Sequence, residues 1–192
     1  MLNYYILFIS TFFITSFISY IIDIFHKVIN LKKIKNDKSI NFNYYIIKRV
    51  LINVFIWSYV SIFSLSYFIN INNKQYSLID TIKDLFISSF LIDPFFYFFH
   101  RLFHNKYLYK FHKVHHEIKN PYGFSSFYMH GIDFMFGNVL PSFIPLIILS
   151  STDITIKIWI FITVANTVLI SHSGLDNISN FHDNHHKYTY YN

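Results

Sequence analysis

No cysteine occurs in this 192-residue chain. Disulfides and thiolate metal sites are therefore excluded, and the redox compartment is left open. Charge is also scarce: Asp, Glu, Lys and Arg supply 14% of residues, where a soluble domain carries about 25%. Glu117 is the sole glutamate and Ala165 the sole alanine. No internal repeat, Gly/Ser-rich linker or heptad pattern divides the chain, and its length suits one domain. Ile, Asn, Lys, Phe and Tyr dominate instead, a bias that AT-rich coding can produce, so their counts say little about function. The net charge of +6 resides in segments between apolar runs. That arrangement speaks for membrane topology and against a nucleic-acid partner.

Hydrophobic residues make up 53% of the chain, and they gather in runs that approach bilayer length. Residues 1–22 carry no charge, and about 20 apolar residues span a hydrocarbon core as a helix. With no basic start and no small-residue cleavage site, this run reads as an anchor and not a signal peptide. Further runs cover residues 50–70, 85–99 (with Asp93-Pro94 inside), 132–150 and 154–170. The last two are nearly continuous and predict a helical hairpin, re-entrant or kinked at Pro141 and Pro145. The expected fold is therefore all-α: an integral membrane bundle of about four to five transmembrane or re-entrant helices. Residues 26–49 hold Lys27, Lys32, Lys33, Lys35, Lys38, Lys48 and Arg49, and the segment after the third run holds Arg101, Lys106, Lys110, Lys113 and Lys119. If the first three runs each cross once, both basic segments share a side, which the positive-inside rule makes the cytosol.

On that side lies a concentration of imidazole. His100, His104, His112, His115 and His116 follow the third run; His172, His182, His185 and His186 follow the fifth. His100 and His104 stand at i and i+4 and share a helix face. H-x-x-H-H occurs twice, at His112/His115/His116 and at His182/His185/His186, and on a helix each triplet points two or three imidazoles at one place. Neutral imidazole ligates Fe, Zn, Cu or Ni, and nine such ligands exceed one ion's coordination but suit two. The expectation is a cytosolic, histidine-rich metal-binding cap. A pH sensor is the weaker alternative, and a metal-carrier loop would be of lower complexity. His26 reads as an ordinary interfacial histidine. His130 reads either as a ligand or ligand-supporting donor, or as a polar residue at the mouth of the fourth run. The aromatic run at residues 95–99 reads as lipid-facing bulk, with a channel wall as the minor alternative.

The order D-P-F-F-Y-F-F-H-R-L-F-H, L-Y-K-F-H-K-V-H-H, H-S-G-L-D and F-H-D-N-H-H resembles the fatty acid hydroxylase superfamily, which includes sterol desaturases and C-4 sterol methyl oxidases. The resemblance runs from about residue 93 to the C-terminus; residues 1–92 resemble it only as membrane helices, so a single domain with a catalytic region at 93–192 is expected. It implies a membrane oxygenase that hydroxylates or desaturates a lipid at a cytosol-facing di-iron centre. The nine histidines named above would be ligands, and O2 the oxidant. NAD(P)H would supply electrons through a reductase and a b-type cytochrome. The location implied is the endoplasmic reticulum in a eukaryote, otherwise the inner membrane. Zinc fits the same ligands by substitution but has no redox chemistry.

Three departures stand out. His130-Gly131-Ile132-Asp133 replaces the family's H-P-x-E. Asp176 stands where some members place a further histidine, as a carboxylate ligand, a cap or a support for a ligand. The chain stops at KYTYYN, before the Asn-Tyr-Gly stretch usual in the family, which reads as a shortened C-terminus. Two other classes remain: a zinc-dependent membrane hydrolase, which needs a glutamate base that only Glu117 could provide, and a non-catalytic metal-binding membrane protein.

Overall fold

Hydrophobic residues turned outward set the architecture. In the computed structural model, which describes residues 1–26, 43–68, 77–175, 182 and 184–186, α1 (Leu2–Phe25) buries Tyr4, Phe8, Thr11, Phe12, Thr15 and Ser19 along one stripe. Its other faces leave Ile6, Ile14, Phe17 and Ile18 exposed. An apolar exterior of that extent suits lipid and not water. Thr15 on the stripe is satisfied within the helix, its Oγ1 donating to the Thr11 carbonyl at 2.7 Å.

Four further long helices follow: α2 (Tyr44–Ser66), α3 (Leu78–Phe103), α4 (Gly131–Leu149) and α5 (Asp153–Ser171). No strand occurs among the described residues, and the all-α membrane bundle expected from the runs is the observed fold. α1, α2, α4 and α5 are long and apolar enough to cross a membrane. α3 is longer still, at 26 residues, but Asp80, Lys83, Asp84, Asp93 and Arg101 dilute its apolar content.

Two boundaries differ from expectation, each through a cap. Asn43 accepts from the Tyr45 N–H at 2.9 Å and starts α2 early, so Lys48 and Arg49 lie in its first turns, not in a loop. Ser77 accepts from the Asp80 N–H at 3.4 Å and starts α3 seven residues before the apolar run. Short polar side chains at such positions satisfy the free N–H groups of the first turn. The expected hairpin is present: α4 ends at Ser150, in the left-handed region at φ 50°, and Thr152 caps α5.

α3 packs along α4, and α1 along α5. Tyr4 of α1 donates to Asp153 Oδ1 of α5 at 2.6 Å, and Trp159 Nε1 donates to the Ser142 carbonyl across the hairpin at 2.7 Å. At the centre lies Phe127, stacked on Phe8 and Phe12 at 5.5 and 5.1 Å between ring centroids and edge-on to Phe134 at 5.3 Å. Phe127 thus anchors the segment between α3 and α4 to three aromatic side chains of the bundle. Buried Asn53 of α2 fixes the same segment by donating through Nδ2 to the Phe127 and Met129 carbonyls, at 2.8 and 2.9 Å. The intervening residue, Tyr128, belongs to the site.

Candidate metal centre

Nine histidines from four stretches of chain meet at one end of this bundle. The last turn of α3 supplies His100, and its cap supplies His104. Their rings lie 4.9 Å apart, as spacing i, i+4 on one helix face requires. The first H-x-x-H-H sequence is not one helix. His112 ends a short α-turn (Tyr109–His112), and His115 and His116 start a 3-10 turn (His115–Glu117). His172 directly follows α5, and His182, His185 and His186 come from the C-terminal motif.

The side chains sort into two groups of four: His100, His104, His112 and His185, and His115, His172, His182 and His186, with the potential ligand atoms of each group within 4.8 Å of one another. Imidazole nitrogens bound to one ion at about 2.1 Å stand about 3.0 Å apart at a right angle and about 3.4 Å apart at the tetrahedral angle. In the first group His185 Nε2 lies 2.8 Å from His100 Nε2 and 3.3 Å from His104 Nε2. In the second, His182 Nε2 lies 3.0 Å from His172 Nε2 and 3.1 Å from His186 Nε2. His116 sits between them, its Nε2 3.0 Å from His112 Nε2 and its ring 4.5 Å from His185 and 5.2 Å from His186.

The outer ring nitrogens reveal why these contacts suit a cation. His172 Nδ1 faces the Thr167 carbonyl at 2.8 Å, His186 Nδ1 the Ile118 carbonyl at 3.0 Å and His115 Nδ1 the Tyr128 carbonyl at 3.2 Å. A carbonyl can only accept, so each Nδ1 carries the proton and each Nε2 presents a bare lone pair inward. His112 Nδ1 likewise donates to Asp133 Oδ2 at 2.9 Å. Lone pairs turned toward one another repel unless a cation lies among them. Carbonyl and carboxylate partners on the outer nitrogens are the usual supports of metal-bound histidine. The donor set therefore fits two metal ions.

Burial keeps the site in its ligating form. It holds His115, His182 and His186 well below the ordinary imidazole range, and neighbouring histidines lower them further. His104 and His172 are pushed down to about 4 and His116 to about 2, burial again being the first cause.

Asp133 is the site residue that the sequence reading missed. Its signal was an acid in an apolar run, at the last place of His130-Gly131-Ile132-Asp133. His130 joins neither group: its Nδ1 accepts from the Ile132 N–H at 3.1 Å and caps α4. The motif thus pairs a helix cap with an acid that orients His112. Gly137, one turn on, leaves room for that acid, because a Cβ there would fall 2.4 Å from Asp133 Oδ1. Asp176 lies outside the described residues. His26, whose Nδ1 donates to the Asp23 carbonyl at 2.8 Å, belongs to neither group.

Three π-helical turns frame the centre: Asn53–Trp57, Phe134–Val139 and Thr167–Ser171. They hold or adjoin Asn53, Asp133 and His172 respectively, and such turns recur at functional sites because the extra residue re-aims side chains. From the histidines a cavity of about 210 Å³ extends between α3, α4 and α5. It is lined by members of both groups (His100 and His112; His115, His172 and His182) and by side chains such as Ile92, Phe96, Ser142 and Thr163.

Known proteins place this arrangement. Fatty acid hydroxylase domain-containing protein 2 of Macaca fascicularis is 34% identical over 108 residues, 54% of this chain and 32% of the relative. Methylsterol monooxygenase 1 of Rattus norvegicus is 36% identical over 87 residues, 44% of this chain and 28% of the relative. The C-4 methylsterol oxidase of Schizosaccharomyces pombe is 37% identical over 92 residues, 45% of this chain and 30% of the relative. The match thus spans about a third of these relatives' length. No solved structure matches. The family model for Fatty acid hydroxylase matches residues 85–192, a stretch holding all nine converging histidines and Asp133, and the chain belongs to that family.

Proposed function

We propose that this chain is a membrane-bound di-iron oxygenase that hydroxylates or desaturates a lipid. The observation that carries the reading is the cavity that touches both histidine groups and continues between membrane helices. A lipid entering from the bilayer meets both groups without leaving the helical bundle. The relatives named as methylsterol monooxygenases support the same class. An alkyl C–H bond has no acidic proton, so no side-chain acid or base can attack it. Iron would supply the O2-activating redox chemistry that amino acids lack.

The protein's part is positional. His100, His104, His112 and His185 would hold one ion, and His115, His172, His182 and His186 the other, with His116 between. Asp133 and the Tyr128, Thr167 and Ile118 carbonyls fix the ring orientations. Walls from α3, α4 and α5 exclude water and align the lipid. Electrons would come from NAD(P)H through a reductase and a b-type cytochrome docking on the cytosolic face. The whole chain would act as one domain, residues 1–92 supplying membrane helices and residues 93–192 the reaction chamber. The zinc-hydrolase alternative loses ground because Glu117, its required base, accepts from Tyr128 Oη at 2.7 Å.

The test is metal analysis together with lipid analysis. Protein made with iron available is expected to hold two transition-metal ions per chain, and cells expressing it to accumulate an O2-dependent oxidised or desaturated lipid. His115→Ala and His185→Ala are expected to abolish product while still inserting into membranes. Wild-type turnover in both variants, or one ion or fewer per chain, would overturn the reading.

A further inference from the structure

A second cleft, of about 480 Å³, lies between α2 and the segment that leads into α4. Tyr45, Lys48, Arg49 and Ile52 line it from α2, and a spacing of i, i+3, i+4 and i+7 puts them on one face of that helix. Tyr128 and His130 line the facing side. Trp57 closes the far end against Gly131, where a Cβ would fall 2.1 Å from the indole ring. The cleft therefore has a polar end at the start of α2 and an apolar end at Ile52 and Trp57. Tyr45 to Trp57 covers about 18 Å of helix.

The polar end is positive and carries no counter-charge. Lys48 and Arg49 are the charged walls, and among the described residues no aspartate or glutamate joins them. Glu117 accepts from Tyr128 Oη at 2.7 Å and lies outside the cleft's walls. Lys48 stands exposed at the rim, whereas Arg49 is half-buried, its guanidinium over the Tyr128 ring at 5.8 Å. Among the described residues no carboxylate or carbonyl accepts from that guanidinium. Its planar fork of N–H donors matches the paired oxygens of a phosphate or carboxylate. His130 adds one more donor: its Nδ1 accepts from the Ile132 N–H, so the proton of the neutral ring sits on Nε2. Walls that donate and do not accept suit a ligand that accepts and does not donate.

Position narrows the ligand further. α2 is long and apolar enough to cross a bilayer, and Lys48 and Arg49 lie in its first turns, at the level of lipid headgroups. Beyond the cleft, Phe55, Ile56 and Tyr59 stay exposed on α2, a surface for acyl chains. Basic pockets between membrane helices bind anionic lipid headgroups in this way. We propose that the cleft binds the phosphate of an anionic membrane phospholipid, with Arg49 as the fork, Lys48 at the rim and an acyl chain laid along Ile52 and Trp57. This lipid is distinct from the one oxidised, because the cleft and the reaction chamber are separate cavities that share Met129 as a wall.

The experiment counts bound lipid. Full-length protein is reconstituted in phosphatidylcholine containing a minority of phosphatidylglycerol and extracted in mild detergent, and its retained lipids are measured by mass spectrometry. Phosphatidylglycerol is expected to be enriched about tenfold or more over the bilayer. Arg49→Ala should abolish the enrichment. Arg49→Lys keeps the charge but loses the fork, so it should lower the enrichment several-fold, whereas diffuse attraction to a basic surface would leave it unchanged. Lys106→Ala removes an exposed charge outside the cleft and should retain the enrichment in full. Excess inorganic phosphate should not displace the lipid, because it lacks the chain that fills the apolar end. No enrichment in wild type, an unchanged enrichment in Arg49→Lys, equal losses in Arg49→Ala and Lys106→Ala, or displacement by inorganic phosphate would each overturn the lipid site.

Discussion

Asp133 separates the two histidine groups experimentally. Among the described residues its carboxylate bonds to one ring, that of His112, which belongs with His100, His104 and His185. Asp133→Asn keeps the shape but removes the charge that fixes the proton on Nδ1. Loss of such a partner costs about 10- to 100-fold in metal affinity, so one of two ions should become easy to remove with a chelator while the second stays. Loss of both ions together, or of neither, would show that the groups do not act as drawn. His130 provides the contrast. Because it caps α4 through Nδ1, Asn can replace it with little change, whereas His130→Ala should cost about 1 kcal/mol of stability and leave metal content intact. The depressed imidazoles also predict a pH dependence for metal-stripped protein. The fold favours their neutral form, so their stability contribution is complete above the ordinary pKa of about 6.5. It is lost as pH falls toward the folded-state value of about 4 at His104 and His172, because unfolding then takes up protons. Thermal unfolding of stripped protein should shift to lower temperature between pH 7 and pH 5; a flat profile would contradict the burial.

At the scale of elements, the site depends on how helices end and where they widen. Gly137→Ala would set a methyl against the Asp133 carboxylate and turn it from His112. It should therefore reproduce the selective loss of one ion without touching any ligand, and chelator titration would reveal it. Asn53→Leu would strand the Phe127 and Met129 carbonyls, a loss of about 1–3 kcal/mol for each unmet buried group, seen as a lower unfolding temperature. Neither residue carried a signal in the sequence. Apolar runs and histidine spacing revealed the five helices and the residues that converge, because burial and metal ligation both impose periodicity. The Asn53 bridge, the room at Gly137 and the division of nine histidines into two groups depend on contacts between residues distant in the chain. Local spacing even misled at residues 112–116. There the i, i+4 pattern suggested one helix, while two separate short turns deliver His112 and His116 to the same place.

For the whole molecule, charge supplies the argument for which end faces the cytosol. Arg49, at the start of α2, lies over the Tyr128 ring at 5.8 Å, and Tyr128 supports His115 through its carbonyl. The basic start of α2 is thus at the histidine end of the bundle, as are Arg101, Lys106, Lys110 and Lys113, which flank or lie among the first five converging histidines. Lysine and arginine near helix ends stay on the cytosolic side, so the histidine centre should face the cytosol. The absence of native cysteine makes this directly measurable. Tyr107, 71% exposed, lies just beyond the histidine end of α3, and Leu78, 61% exposed, starts its other end, about 39 Å away along a 26-residue helix. Tyr107→Cys should resist a membrane-impermeant maleimide in intact cells and react in inside-out vesicles, and Leu78→Cys should do the reverse. Labelling of Tyr107→Cys from outside intact cells would invert the molecule, placing its metal centre away from cytosolic NAD(P)H and removing the electron route proposed for it.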